Sequence, residues 1–363
     1  MNRTELITAF LHTRNRPEFV LRCLKFYDTW YRGTLVILDA SESDRFDELK
    51  RGVSRLQLRF PLTILHHSQE TALKDRFSEA LRLTSSPYVV LMADDDFHFQ
   101  SGMQAALDHL EAHPDCGVVY GHVIDFQLGG YVPAGELRRY ANGKLNPPDR
   151  WLQGESPLDR LAELSKGPWW TTGWYAVQRT AIFRSIIETA NEGGFSNGML
   201  ERAMTLLQPI HAKVAKLDTI CLARQTNPQE NRRPGTFREN AAAIAVLEQA
   251  AANVLVRLTG VGRDRAQAAV ASALSAETRQ LRRNEHMDLL RKTASRLGLS
   301  RPYAAFLDMV RRHRRPSVQD YVAQDRRLPL PPQLSSETPE VRLLDASCRA
   351  SLPSPKELLP TPP

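Results

Sequence analysis

The chain has 363 residues, 42% hydrophobic and 25% charged, an ordinary balance for a globular protein able to bury a core. Its net charge of +7 comes almost entirely from residues 278–315, which hold eleven Lys/Arg against three Asp/Glu, so the basicity marks one segment and excludes a chain-wide nucleic-acid surface. Four scattered cysteines with no CxxC pair exclude a zinc ribbon or a disulfide scaffold and fit a reducing compartment. The first apolar run is too short for a signal peptide, and no run approaches the roughly 18 apolar residues of a membrane span. The expectation is a soluble, cytoplasmic protein.

The first strand is predicted from Leu6 to His12, followed by Thr13-Arg14-Asn15-Arg16-Pro17. Asn15 is placed to cap a helix and Pro17 to open it. That helix lines up Phe19, Val20, Cys23, Leu24, Phe26 and Tyr27 at three–four spacing. Leu35–Leu38 reads as a second buried strand, stopped by Asp39-Ala40-Ser41. A helix over 44–56, a strand over 62–66 and a helix over 72–83 follow, the last with Lys74 and Arg76 in its first turns. The order is β-α-β-α-β-α-β, with connections that suit parallel crossovers.

The fourth strand carries the most chemistry. Tyr88-Val89-Val90-Leu91-Met92 has no polar alternation and reads as buried on both faces. It stops at Asp94-Asp95-Asp96. Three adjacent carboxylates repel one another, yet they lie where open α/β sheets bind ligands. Hard oxygen ligands at Asp94 and Asp96 suit Mg²⁺ or Mn²⁺ bridged to a diphosphate. A solvated acidic loop before a helix would leave the same pattern. No GxGxxG follows the first strand and no GxxxxGK[ST] is present, which disfavours dinucleotide and P-loop chemistry.

Strand–TRNRP–helix, strand–DAS, a basic third helix and strand–ADDD together resemble the family 2 glycosyltransferases of GT-A fold. The resemblance covers roughly residues 5–230. Usual members read TYNRP, DDGS and DxD, so Arg14, Ala40 and Glu42 depart from the pattern. The resemblance implies a Rossmann-like, mostly parallel central sheet flanked by helices. It also implies a nucleotide-diphosphate sugar donor, Mg²⁺ or Mn²⁺ as cofactor, and transfer to an acceptor hydroxyl with inversion. Thr13 and Arg14 would line the nucleoside, Asp39 and Ser41 the base or ribose, and Lys74 or Arg76 the diphosphate. Asp94 and Asp95 would bind the donor and Asp96 the metal. A solvated helix face is the plain alternative for Lys74 and Arg76, and a turn-forming side chain for Asp39.

After a helix over 101–112 and a strand over 116–121, a Gly-rich excursion runs from Gly129 to Glu155. Pro168 to Val177 holds three Trp in six residues, which fits either stacking on sugar rings or a core aromatic cluster. The resemblance places the acceptor pocket there, at Trp169, Trp170, Thr172 and Gly173. The family's general base falls at the start of the next helix. Glu201 is the candidate, with Glu192 as the fallback; a first-turn Glu favoured by the helix dipole is the plain alternative. A strand over 213–222 closes the domain.

Three parts are expected: a GT-A domain over 1–235, a helical C-terminal subdomain over 236–327, and a Pro-rich disordered tail over 328–363. The basic helices could touch an anionic membrane surface, although a solvated face explains the same charges. Surface polysaccharide or glycoconjugate synthesis, with a glycan, lipid-linked or protein acceptor, is the matching pathway class. A degenerate glycan-binding or scaffold module and a nucleotidyltransferase are the rival functions.

Overall fold

The computed structural model describes residues 3–128, 137–141, 152–166, 171–225, 241–276, 342–344 and 346–347. After a 3₁₀ turn at Arg3–Leu6, the chain alternates β1 (Ile7–Thr13), α1 (Pro17–Asp28), β2 (Thr34–Asp39), α2 (Ser43–Val53), β3 (Leu62–His66), α3 (Leu73–Arg82) and β4 (Tyr88–Ala93). Then come β5 (Asp96–His98), α4 (Gln100–Ala112), β6 (Cys116–Leu128), β7 (Leu137–Ala141), α5 (Pro157–Ser165) and a 3₁₀ turn at Thr171–Tyr175. The chain continues through β8 (Val177–Arg179), α6 (Thr180–Glu192), α7 (Asn197–His211), β9 (Lys213–Gln225) and α8 (Ala241–Thr259). A further helix, α9, spans 263–276, and residues 342–344 and 346–347 are also helical.

Among the described residues, nine strands form one sheet, ordered β3-β2-β1-β4-β8-β6-β9-β5, with β7 added to β6. The β3-β2-β1-β4 half is wholly parallel, as the crossover lengths predict. Beyond β4 the pairing is mixed: β8 runs antiparallel to β4 and β6, whereas β6 and β9 are parallel.

Alternation along the strands divides the core in two. Ile7, Ala9 and Leu11 of β1, with Tyr88, Val90 and Met92 of β4, join α1 and α4 on one face. Phe10 of β1 and Val89 and Leu91 of β4 join α3, α6, α7 and α8 on the other. Burial on both faces is why these strands carry no polar alternation.

Several differences from the expectations have local causes. Asn15 does not cap α1. Its backbone has φ +56°, in the left-handed region that Asn tolerates, and its side-chain oxygen accepts from Glu42 N at 2.8 Å. Arg16 takes the capping position with no side-chain cap bond. Asp96 lies in a short strand of its own, paired with β9, and not in a loop. The expectation that no segment is long and apolar enough to span a membrane fails for α8, where Ala242–Thr259 has mean hydropathy 1.3. Alanine carries much of that value, and Leu247, Ala251, Ala252 and Leu255 bury one face of the helix in the second core.

The basic cluster at 278–315 and most of the 236–327 and 328–363 divisions lie outside the described residues. Within the last of these, Leu344 is fully buried in the first core and Leu343 packs against it, so that short piece of the expected tail is held by the fold.

Two stability predictions follow from this packing. Ala normally stabilises a helix over Gly by about 1 kcal/mol. At Gly102, however, a Cβ would meet Cys221 Cα at 2.5 Å and the Ile220 carbonyl at 2.6 Å. Gly102→Ala is therefore expected to destabilise by about 1–3 kcal/mol in urea titration, and a gain in stability would contradict this α4–β9 approach.

Loss of solvent, with Arg257 nearby, lowers the His211 pKa to about 4. An unfolded imidazole protonates near 6.5, so the unfolded state binds the extra proton and stability is lost as pH falls between about 6.5 and 4. His211→Asn is expected to lose less stability across that window than the parent chain, as read from midpoints at pH 7 and 4.5.

Candidate functional site

Parallel pairing brings the carboxyl ends of the first strands into one row. Thr13 is in register with Asp39, Asp39 with His66, and His12 with Ala93. Asp94 therefore emerges beside Thr13, and the Thr13 hydroxyl donates to Asp94 Oδ2 at 2.6 Å. Each strand ends in polar residues where its apolar run stops, so the row is a direct consequence of sequence and parallel topology.

The acid turn is held from below by α1. Cys23 Sγ donates to the Asp94 carbonyl at 3.0 Å. One turn later, the Tyr27 hydroxyl accepts from His98 N at 3.0 Å and donates to the Asp96 carbonyl at 3.5 Å. From above, the Arg16 guanidinium pairs with Asp94 Oδ1 at 3.0 Å and Asp95 Oδ2 at 2.8 Å, and it stacks 4.1 Å from the Phe19 ring centroid. Asp94 and Asp96 are each 3% exposed. Burial raises the Asp94 carboxyl, outweighing Arg16 and the Thr13 bond, which pull it down. Burial and then the Asp95 charge push Asp96 well up, against bonds from Tyr175 and Gln225 N, the latter at 3.0 Å, and against Arg224.

Asp39 is 1% exposed, and its oxygens are occupied within the protein. Oδ1 accepts from Ser41 N at 2.9 Å and lies 2.9 Å from His66 Nδ1, while Oδ2 accepts from the Ser41 hydroxyl at 2.7 Å. That is a turn-forming Asp, and it presents His66 and Ser41 at the row's edge. Ser41 Oγ in turn accepts from Asn15 N at 2.7 Å. The Thr13–Pro17 loop thus spans from the end of β2 to the acid turn. Arg14 is exposed at the rim and bonded to Gln69.

The two basic residues of α3 part ways. Lys74 turns to the helices, with Nζ 3.2 Å from Asp75 and 3.3 Å from Asn191 of α6. Arg76 is 8% exposed, and its Nε donates to the Thr71 carbonyl at 3.0 Å. Desolvation and then Arg14 lower its pKa, with Asp39 opposing. Among the described residues it makes no ion pair, so a buried cation faces the row.

The start of α7 completes the site. Asn197 Oδ1 accepts from Leu73 N at 2.8 Å, tying the first turn of α7 to the first turn of α3. Glu201 follows one turn later, half-buried. The Tyr175 phenol bonds Asp96, and its pKa is raised by burial first, then by Asp96 and Asp95, with Glu201 also contributing. Glu201 and the acid turn therefore bear on the same phenol. Glu192 lies elsewhere, 3.9 Å from Arg257, at a groove of about 400 Å³ between α6 and α8. The Gly173 carbonyl accepts from Gln208 Nε2 at 2.9 Å, and a Cβ there would meet Gln208 Oε1 at 2.5 Å. Trp169, Trp170 and the Thr172 side chain lie outside the described residues.

Sequence reasoning missed Arg16, His66, Tyr175 and Gln225. Arg16 could have been found, because an acid triplet that packs inside needs a cation and Arg16 shares a loop with Thr13. The other three enter through strand pairing or a distant turn, with no local signal.

Among the described residues, no group of three His, Cys, Asp or Glu side chains could hold a metal alone. Mg²⁺ and Mn²⁺ commonly use one or two protein carboxylates and take their other ligands from phosphates and water. Two buried carboxylates whose pKa values are driven up by desolvation are short of positive charge, and they fit such an ion.

Residues 8–155 match the family model described as glycosyl transferase family 2. Solved structures similar to this chain include Staphylococcus aureus TarS, at 12% identity and TM-score 0.44, covering 74% of this chain and 43% of TarS. Mannosyltransferase PcManGT from Pyrobaculum calidifontis, in complex with GDP-Man and Mn²⁺, is similar at 14% identity and TM-score 0.40, over 87% of this chain and 84% of that one. Glucosyl-3-phosphoglycerate synthase from Mycobacterium tuberculosis is similar at 12% identity and TM-score 0.36, over 72% and 83%. The chain thus spans less than half the length of TarS. No curated protein sequence matches it. The strand-end row and the acid turn lie within the residues that match the glycosyl transferase family 2 model.

Proposed function

We propose that the protein transfers a sugar from a nucleotide-diphosphate sugar to an acceptor hydroxyl, with inversion and with the help of Mg²⁺ or Mn²⁺. The observation that carries this is the acid turn Asp94–Asp96 at the end of β4, set in one row with Thr13, Asp39 and His66 inside a family 2 domain.

The Thr13–Arg16 loop, with Ser41, Asp39 and His66, forms one wall for the nucleoside. Asp39 acts by holding Ser41 and His66 in place, since its own oxygens are taken. Arg76, with Arg14 at the rim, supplies cations for the diphosphate; Lys74 is engaged by α6 and contributes less. Asp94 and Asp95 complete the donor side. Asp96 would hold a divalent cation, which supplies neutralising charge for the departing diphosphate. Glu201 accepts the proton of the acceptor hydroxyl as that oxygen attacks the anomeric carbon, the anomeric C–O bond to the diphosphate breaking in the same displacement. On the acceptor side the candidates are Trp169, Trp170, Thr172 and Gly173. The acceptor is a glycan, a lipid-linked saccharide or a protein, as in surface polysaccharide or glycoconjugate synthesis.

The test begins with thermal shifts in Mn²⁺ against a panel that includes UDP-GlcNAc and GDP-Man, because a ligand stabilises the native state by mass action. A donor should raise the midpoint, release its nucleoside diphosphate slowly, and lose both effects in EDTA or in Asp96→Asn. Donor binding that survives both treatments would remove the cation assignment. Absence of any donor binding or release would leave a non-catalytic module.

For the base, Glu201→Gln is expected to lower kcat by about 10²–10⁴-fold with donor affinity unchanged. An unaltered kcat would exclude Glu201 as the proton acceptor.

A further inference from the structure

The ends of β2 and β3 meet in one pair of side chains. His66 is in register with Asp39, and its Nδ1 lies 2.9 Å from Asp39 Oδ1. The same oxygen accepts from Ser41 N, and Oδ2 accepts from the Ser41 hydroxyl, so Asp39 acts as an acceptor throughout. A carboxylate has no proton to give. The Nδ1 of His66 therefore carries the hydrogen, and its Nε2 keeps a lone pair. The ring is fixed on its face as well, stacked on Phe46 of α2 with centroids 3.8 Å apart and planes 12° apart. The Asp39 side chain is 1% exposed and that of His66 33%, so the acid is hidden and the imidazole is open. Among the described residues no hydrogen bond reaches Nε2 of His66. His67, next in the chain, turns to α3, where its Nε2 lies 3.0 Å from Glu79, so His66 alone of the two stands at the edge of the row.

We propose, resting on the nucleotide-sugar reading above, that His66 selects the nucleobase of the donor: its Nε2 accepts a ring N–H that lies beside a carbonyl, the group that uracil presents at N3 and guanine at N1. Cytosine and adenine present a lone pair at the corresponding ring positions. Two lone pairs repel, and both groups then give up a bond to water without replacement. The imidazole is held before any ligand arrives, by Asp39 at Nδ1 and by Phe46 at its face, so little freedom is lost when a base binds. Asp39 acts on the base only through His66, which differs from the direct contact that the family resemblance implies for Asp39. His66 is a specificity-determining residue and takes no part in the transfer step.

The experiment titrates UDP, GDP, CDP and ADP into the full chain by calorimetry with Mn²⁺ present, and adds UDP methylated at N3 and GDP methylated at N1. The parent is expected to bind UDP or GDP at least about tenfold more tightly than CDP and ADP, and the two arms tell uracil from guanine. Methylation of the favoured base should cost the parent about tenfold. His66→Phe keeps a ring to stack on Phe46 but has no Nε2. It should lose about tenfold for the favoured nucleotide, leave CDP and ADP unchanged, and no longer distinguish the methylated form. Equal weakening of all four nucleotides by His66→Phe would mean a merely structural role and overturns the proposal, as does a parent indifferent to methylation or one that prefers CDP or ADP. The methylated nucleotides need only the parent chain, so they decide the matter even if His66→Phe does not fold. A parent that binds no nucleotide removes the transferase reading together with this one, whereas binding without this selectivity removes the role of His66 alone.

Discussion

Arg16, 3.0 Å from Asp94 and 2.8 Å from Asp95, is the contact on which the site depends. Buried carboxylates are costly, and removing the partner of a buried charge typically costs about 3–5 kcal/mol. The fold meets that cost from several sides. Arg16 covers the mouth, Thr13 bonds one Asp94 oxygen, and the Gln225 N–H bonds Asp96. Cys23 and Tyr27 hold the turn's carbonyls from α1. Even so, desolvation pushes the Asp94 and Asp96 carboxyls up, because burial penalises their charged forms.

The surrounding architecture serves that turn. The parallel half of the sheet brings three strand ends into register, and the mixed half, through β9, supplies the backbone that bonds Asp96. The helices on the second face add the rest. The first turn of α3 is fastened to α7 through Leu73 and Asn197, so Arg76 and Glu201 are set by the same contact. The match to the family 2 model ends at residue 155, so it takes in the strand-end row and the acid turn, whereas Tyr175, Glu201 and Gln225 lie beyond it.

Packing gives the weighed residues different partners. Asp39 forms a turn in which its oxygens meet Ser41 and His66. Lys74 contacts α6, whereas Arg76, two residues later on the same helix, bonds the Thr71 carbonyl. A shift of two positions turns a helical side chain by about 200°, so neighbours in sequence can serve opposite sides.

The sequence alone determined the alternating strands and helices of residues 7–112, the polar stops at Thr13, Asp39 and Asp94, and the location of the acid turn. All of these are written in short-range pattern: apolar runs fix buried strands, and crossover lengths fix parallel pairing. Only the tertiary structure decided which acids are paired and which cation pairs them, that Asp96 belongs to a strand against β9, and that the Tyr175 phenol bonds Asp96. Those contacts join residues about 80 to 130 positions apart, such as Arg16 with Asp95 and Asp96 with Gln225. No local periodicity records them, because they arise from where the sheet places its ends and not from what any one segment prefers.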